Sequence, residues 1–130
     1  MSAIRVLIVD DSAFVRQMLT DLLSSDPGIE VLGAAPNPIV ARDMIKSLNP
    51  DVLTLDIEMP RMDGYELATE MKQSVRLRQV PIVMITSRTG DKHRQRAFDI
   101  GVNRYLGKPY QEADLLRNVN ELLGLHREQG

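Results

Sequence analysis

The chain has no cysteine and no tryptophan, and three tyrosines and two phenylalanines are its only aromatic side chains. Without cysteine it can have no disulfide framework, no thiolate nucleophile and no zinc site built on sulfur. Charge of one sign is not in excess: Lys+Arg number 16 against 18 Asp+Glu, a net charge of −2. The basic footprint of a nucleic-acid binder is therefore missing. No apolar stretch approaches the roughly 20 residues that span a bilayer. The opening Met-Ser-Ala-Ile-Arg enters a strand-like run almost at once, unlike a signal peptide. What is present fits one ordinary globular domain of 130 residues, 43% hydrophobic and 26% charged, expected in the cytoplasm.

Five short apolar runs rich in β-branched residues alternate with five segments of helical periodicity. The strands are expected at Ile4–Val9, Ile29–Ala35, Val52–Asp56, Ile82–Thr86 and Asn103–Leu106. The first, third and fourth are nearly continuous apolar runs, as parallel strands covered on both faces require. Between them, Phe14, Val15, Met18, Leu19, Leu22 and Leu23 recur at helical spacing behind Ser12, an N-cap residue. Ile39, Val40, Met44, Ile45 and Leu48 mark a second helix. A third opens at Asp63-Gly64, with Asp63 read as its cap, and runs to about Ser74. The fourth spans Asp91 to Ile100 and closes at Gly101, and the fifth carries Leu115, Leu116, Val119, Leu122 and Leu123 on one face. Residues 1–124 are read as one domain and Leu125–Gly130 as a loose tail. Strict alternation of strand and helix implies an α/β fold: a parallel sheet with right-handed crossovers and helices on both faces.

In such sheets, ligands bind beyond the C-terminal ends of the strands. Two of the apolar runs, Arg5-Val-Leu-Ile-Val9 and Val52-Leu-Thr-Leu-Asp56, end in carboxylates: Asp10 and Asp11 in one case, Asp56 in the other. Thr86 ends a third strand. A fold that gathers acidic groups at the ends of buried strands needs a cation or a phosphoryl group to occupy the place. His93 and His126 sit in polar surroundings, have no partner at metal-ligand spacing and are read as solvent-facing. The basic cluster Lys92–Arg96 is read as a solvated helix face, with a partner contact as the alternative.

Asp10-Asp11, the block Asp56-x-x-Met-Pro-x-Met-Asp-Gly64, Thr86-Ser87 and Lys108-Pro109, taken in order, resemble the receiver domain of bacterial two-component response regulators. The resemblance covers about Arg5 to Leu123. It implies a flavodoxin-like (βα)5 sandwich with sheet order 2-1-3-4-5. It also implies that Asp56 is the phosphoacceptor, taking a phosphoryl group from the phosphohistidine of a sensor histidine kinase or phosphotransfer domain. By the same resemblance Mg²⁺ would be held by Asp11 and Asp56, by the main-chain carbonyl of Glu58, and by Asp10 mainly through water. Lys108 would pair with one phosphoryl oxygen and Thr86 would donate to another. Thr86 and Tyr105 would carry the switch to the face formed by the fourth helix, fifth strand and fifth helix. The Lys108–Pro109 bond is expected to be cis, a conformation essentially confined to proline. Such a domain is not an enzyme in the usual sense, but a switch that catalyses its own phosphotransfer and dephosphorylation.

Three residues are expected to tune the mouth of this site: Glu58 and Arg88 as a bridging pair that hinders hydrolytic water, and Ser87 as a small side chain that leaves access open. The two halves carry different accents. Residues 4–64, with Asp-Asp-Ser-Ala-Phe-Val-Arg16 and Ala-Pro-Asn-Pro38, most resemble the receiver of a chemotaxis methylesterase. From about Pro81 on, Thr-Ser-Arg-Thr-Gly90 and Tyr-Leu-Gly-Lys-Pro-Tyr110 resemble the receiver of a chemotaxis-type hybrid kinase, as expected of a chimera, an engineered chain, a reconstructed ancestor or an intermediate natural sequence. The main rival function is a binding module of the same fold that works without phosphorylation, which would not need the full acidic and Lys108 set. An aspartyl phosphohydrolase would want a second aspartate where Glu58 stands. A flavin-binding protein would want a phosphate-cradling loop where Asp10-Asp11 stands.

Overall fold

A computed structural model describes residues 3–56, 64–75, 77–86 and 90–129, without the side chains of 64, 65 and 123–129. Strands β1 (Ile4–Val9), β2 (Ile29–Ala35), β3 (Val52–Asp56), β4 (Ile82–Thr86) and β5 (Arg104–Gly107) alternate with helices α1 (Ala13–Ser24), α2 (Pro38–Leu48), α3 (Gly64–Gln73), α4 (Asp91–Ile100) and α5 (Glu112–Gln129). All strand pairs are parallel and the sheet order is β2-β1-β3-β4-β5. This is the flavodoxin-like arrangement that the motifs imply. The order reverses at β1 and β3, so the switch point of the sheet lies where these two strands end.

The period-two geometry of the strands divides the core into two clusters, one on each face. Leu7, Val9, Leu53, Leu55, Ile82 and Met84 join residues of α2, α3 and α4, whereas Val6, Ile8, Val52, Val83 and Ile85 join residues of α1 and α5. The central strands β3 and β4 are buried along their whole length, which accounts for their apolar sequences.

Local chemistry fixes the helix ends. Ser12 Oγ accepts from Val15 N at 3.2 Å to start α1, and Asn37 Oδ1 accepts from Val40 N at 2.9 Å to start α2, with Pro38 in its first turn. Gly101 ends α4 with φ of 115°, a left-handed conformation that an L side chain resists.

The boundaries differ from the expectation in β5 and at the C-terminal tail. β5 runs from Arg104 to Gly107 rather than from Asn103 to Leu106. Asn103 still joins β4: its N–H donates to Ile82 O at 3.1 Å and its side-chain Oδ1 accepts from Ile82 N at 3.0 Å. The tail expected from Leu125 is helical as far as Gln129. After Gly124 the sequence Leu-His-Arg-Glu-Gln contains no proline or glycine to stop the helix.

Candidate functional site

The site grows out of the C-terminal ends of β1, β3, β4 and β5. Val9 is paired with Leu55, so the residues that follow β1 lie beside the end of β3. On the other side Asp56 is paired with Ile85 and Thr86 with Gly107. Lys108 N donates to Thr86 O at 2.7 Å, which carries the chain from β5 onward at the same level as Thr86. Asp10, Asp11, Asp56, Thr86 and Lys108 are thereby brought to one edge of the sheet, although they are spread over most of the sequence. The Lys108–Pro109 bond is cis.

Asp10 and Asp56 are buried and Asp11 is exposed, and one carboxylate oxygen from each lies within 4.8 Å of the others. At that spacing each like-charged pair repels by about 3 kcal/mol or more in an effective dielectric of about 20. A compensating cation is Lys108, whose Nζ is 3.7 Å from Asp56 Oδ1. One lysine cannot neutralise three carboxylates. Asp10 registers the imbalance: its pKa is pushed up to about 6, chiefly by burial and further by the charges of Asp56 and Asp11. The Ser12 amide, which donates to Asp10 Oδ1 at 2.9 Å, and Lys108 oppose that rise.

The sign of this shift gives a prediction. A carboxyl whose folded pKa lies above its unfolded value costs stability once ionised, so the metal-free protein loses stability as pH rises from about 4 through about 6. Asp10→Asn is expected to raise the melting temperature of the metal-free protein at pH 7.5 by a few degrees, as for a change on the order of 1 kcal/mol in a domain of this size. The advantage should vanish below pH 4. Differential scanning fluorimetry in excess chelator at several pH values measures it.

The donor set suits a hard divalent cation. All the side-chain donors are oxygens, and opposite ligands of an octahedral Mg²⁺ lie about 4 Å apart, close to the spread of the three carboxylate oxygens. Thr86 is fully buried at the end of β4. Tyr105 is half-buried in β5, opposite Met84, and packs against the cluster beneath α2, α3 and α4. Beside the acidic cluster, Val15, Met18, Leu22, Pro109 and Tyr110 line a groove between α1 and the start of α5. Burial and the charges of Asp10 and Glu112 raise the Tyr110 pKa, so its phenol stays protonated at neutral pH. The expectations for Glu58, Ser87 and Arg88 at the mouth, and for Asp63 as a cap, lie outside the described residues.

Sequence reasoning overlooked Arg16, whose Nη1 donates to the main-chain oxygen of Asp10 at 2.9 Å. A signal was available: an arginine in the second turn of α1, six residues beyond the first aspartate, can reach back to the end of β1.

Comparison with known proteins agrees with this fold. The family profile of the response regulator receiver domain matches residues 6–120. A protein-glutamate methylesterase/protein-glutamine glutaminase of Nitrosomonas europaea is 50% identical over 111 residues, 84% of this chain and 30% of that protein. One from Xanthomonas campestris is 55% identical over 108 residues, 82% of this chain and 29% of that protein. The chain thus spans under a third of the length of these relatives. Both alignments exceed the extent of residues 4–64, so likeness to methylesterase receivers continues into the second half. Among solved structures, the response regulator domain of Thermotoga maritima CheB superposes with a TM-score of 0.84 at 30% identity, covering 94% of this chain and 97% of that one.

Proposed function

Since the chain belongs to the response regulator receiver domain family, a family of two-component signalling switches, we propose that Asp56 is its phosphoacceptor and that the phosphodonor is a phosphohistidine on a histidine kinase or phosphotransfer domain. The observation that carries this reading is the position of Asp56: buried at the end of a central strand, within reach of Asp10 and Asp11 on one side and of Lys108 at 3.7 Å on the other.

In the reaction a carboxylate oxygen of Asp56 attacks phosphorus. The bond from phosphorus to the imidazole nitrogen breaks with its electron pair leaving on the nitrogen, and the product is an acyl phosphate. A carboxylate needs no deprotonation at neutral pH, so the site has only to align the attack and neutralise charge. The Lys108 ammonium is placed to pair with a phosphoryl oxygen, as a compact charge on a flexible stem. Asp11 and Asp56, with the carbonyl of Glu58 and with Asp10 through water, would hold Mg²⁺. When bound, the ion supplies neutralisation of the phosphoryl oxygens.

Phosphorylation adds roughly −1.5 to −2 charges. Thr86, one strand away from Asp56, offers its hydroxyl to the new oxygens, and Tyr105 on the adjacent strand follows the movement of β4. The signal then emerges on α4, β5 and α5 as a shift between two packings. The alternative of a phosphorylation-independent binding module is not favoured, because it gives the complete charged set nothing to do. The test is addition of beryllofluoride, a phosphoryl mimic, with Mg²⁺. Amide resonances of Thr86, Tyr105 and α4 are expected to shift together, and no change on adding both would overturn the reading.

A further inference from the structure

We infer that Arg16 is a positioning residue for the cation site, acting through the peptide bond between Asp10 and Asp11. This inference rests on the reading of Asp10, Asp11 and Asp56 as ligands of Mg²⁺.

The two aspartates that follow β1 are held very differently. Asp10 is buried, its N–H donates to Ala35 O at 3.1 Å, and its carboxylate accepts from Ser12 N. Asp11 is exposed, and among the described residues no hydrogen bond or ion pair holds its carboxylate. Its direction is therefore set by its backbone. The peptide plane that fixes this backbone carries the carbonyl of Asp10, and that carbonyl accepts from Arg16 Nη1 at 2.9 Å.

Arg16 is itself well anchored. Its own N–H donates to Ser12 O at 2.9 Å, and its carbonyl accepts from Thr20 Oγ1 at 2.7 Å. It sits one turn into a helix whose start is locked by the Ser12 cap. The guanidinium thus clamps the carbonyl between two ligand-bearing residues to the frame of α1. A ligand aimed in advance loses less freedom on capturing an ion than one that must be ordered by it.

Charge alone argues the opposite. A cation beside an acidic cluster competes with a bound divalent ion, so removing it on electrostatic grounds should tighten Mg²⁺ binding. The two accounts differ in sign, which makes the test decisive. Mg²⁺ affinity is to be measured by calorimetry at constant ionic strength for the native chain, Arg16→Met and Arg16→Lys. Melting temperatures and amide exchange at Ser12 are to be measured without metal. Arg16→Met, similar in length but without a donor, is expected to weaken Mg²⁺ binding roughly tenfold, as for loss of one hydrogen bond to a charged group. It should also speed amide exchange at Ser12. Arg16→Lys keeps a charged donor and is expected to stay within about threefold of the native affinity. Unchanged or tighter binding in Arg16→Met, or no recovery in Arg16→Lys, would overturn the inference. If Arg16→Met does not fold, Arg16→Gln, which is also neutral and too short to keep the bond, takes its place: weaker Mg²⁺ binding than in the native chain is expected, and unchanged or tighter binding would overturn the inference. Failure of the underlying reading is distinguishable, because the native chain itself would then bind no Mg²⁺.

Discussion

Asp56→Asn is expected to lose uptake of label from acetyl phosphate and Mg²⁺ by at least about a hundredfold, since an amide oxygen is a far poorer nucleophile than a carboxylate. Acetyl phosphate is the informative donor because it needs no partner protein, so the result reports on the chain's own chemistry. The substitution is nearly isosteric and should leave the fold intact. It should in fact stabilise the metal-free protein at neutral pH. Asp56 is buried and stands within 4.8 Å of two other carboxylates, and the asparagine removes one charge from that group. The partial loss is the contact of Asp56 with Lys108 at 3.7 Å. Loss of labelling together with a higher melting temperature is the signature of a residue placed for chemistry at the expense of stability. A variant that labels normally would transfer the role to Asp10 or Asp11.

Lys108→Met carries the second large effect. Its Nζ lies 3.7 Å from Asp56 Oδ1. On the proposed reading the same ammonium would face the phosphoryl oxygens of the acyl phosphate. Charge on these oxygens must be redistributed when water displaces the aspartate. Methionine keeps the length and much of the packing of the stem but supplies no charge. Removing one preorganised electrostatic partner of this kind typically costs about a hundredfold in rate. The acyl phosphate of Lys108→Met is accordingly expected to hydrolyse about a hundredfold more slowly than the native one, followed by loss of label after the donor is removed. An unchanged lifetime would show that Lys108 plays no part in hydrolysis.

Much of the fold was legible because it rests on signals that are local in the sequence. The runs Ile4–Val9, Ile29–Ala35, Val52–Asp56 and Ile82–Thr86 coincide with β1 to β4; for β1, β3 and β4 this is because a strand buried on both faces has little choice but a continuous apolar run, whereas the edge strand β2 is set off by Pro27-Gly28 and Pro36 on either side. Ser12 and Gly101 were readable as helix ends for reasons of capping and backbone freedom. What was less legible depends on three-dimensional partners. Phe14 and Met18 share the helical spacing of α1, yet Phe14 is 78% exposed and Met18 41%, while Leu19 and Leu23 are buried. At about 100° per residue, Phe14 and Met18 fall to one side of the stripe through Val15, Leu19, Leu22 and Leu23. Spacing alone does not say which edge of a wide apolar face meets the sheet. The side-chain bond of Asn103 to Ile82 N, just before β5, is likewise a contact that no periodicity encodes.

The candidate site divides in the same way. Asp10, Asp11, Asp56 and Thr86 could be found because they follow strand ends, and Lys108 because it stands in a recognisable dipeptide. The grip of Arg16 on the Asp10 carbonyl could not, since it depends on how α1 leaves β1. Neither could the raised pKa of Asp10, which comes first from burial and then from the proximity of Asp56.

The central claim is that Asp56, and neither neighbouring aspartate, becomes an acyl phosphate. Borohydride reduces an acyl phosphate to the alcohol, so treatment of the phosphorylated protein converts the modified aspartate into homoserine, which peptide mass spectrometry locates. Homoserine at position 56 and at neither 10 nor 11, dependent on Mg²⁺ during phosphorylation, is the predicted result. Homoserine at Asp10 or Asp11, or labelled protein with none at 56, would contradict it.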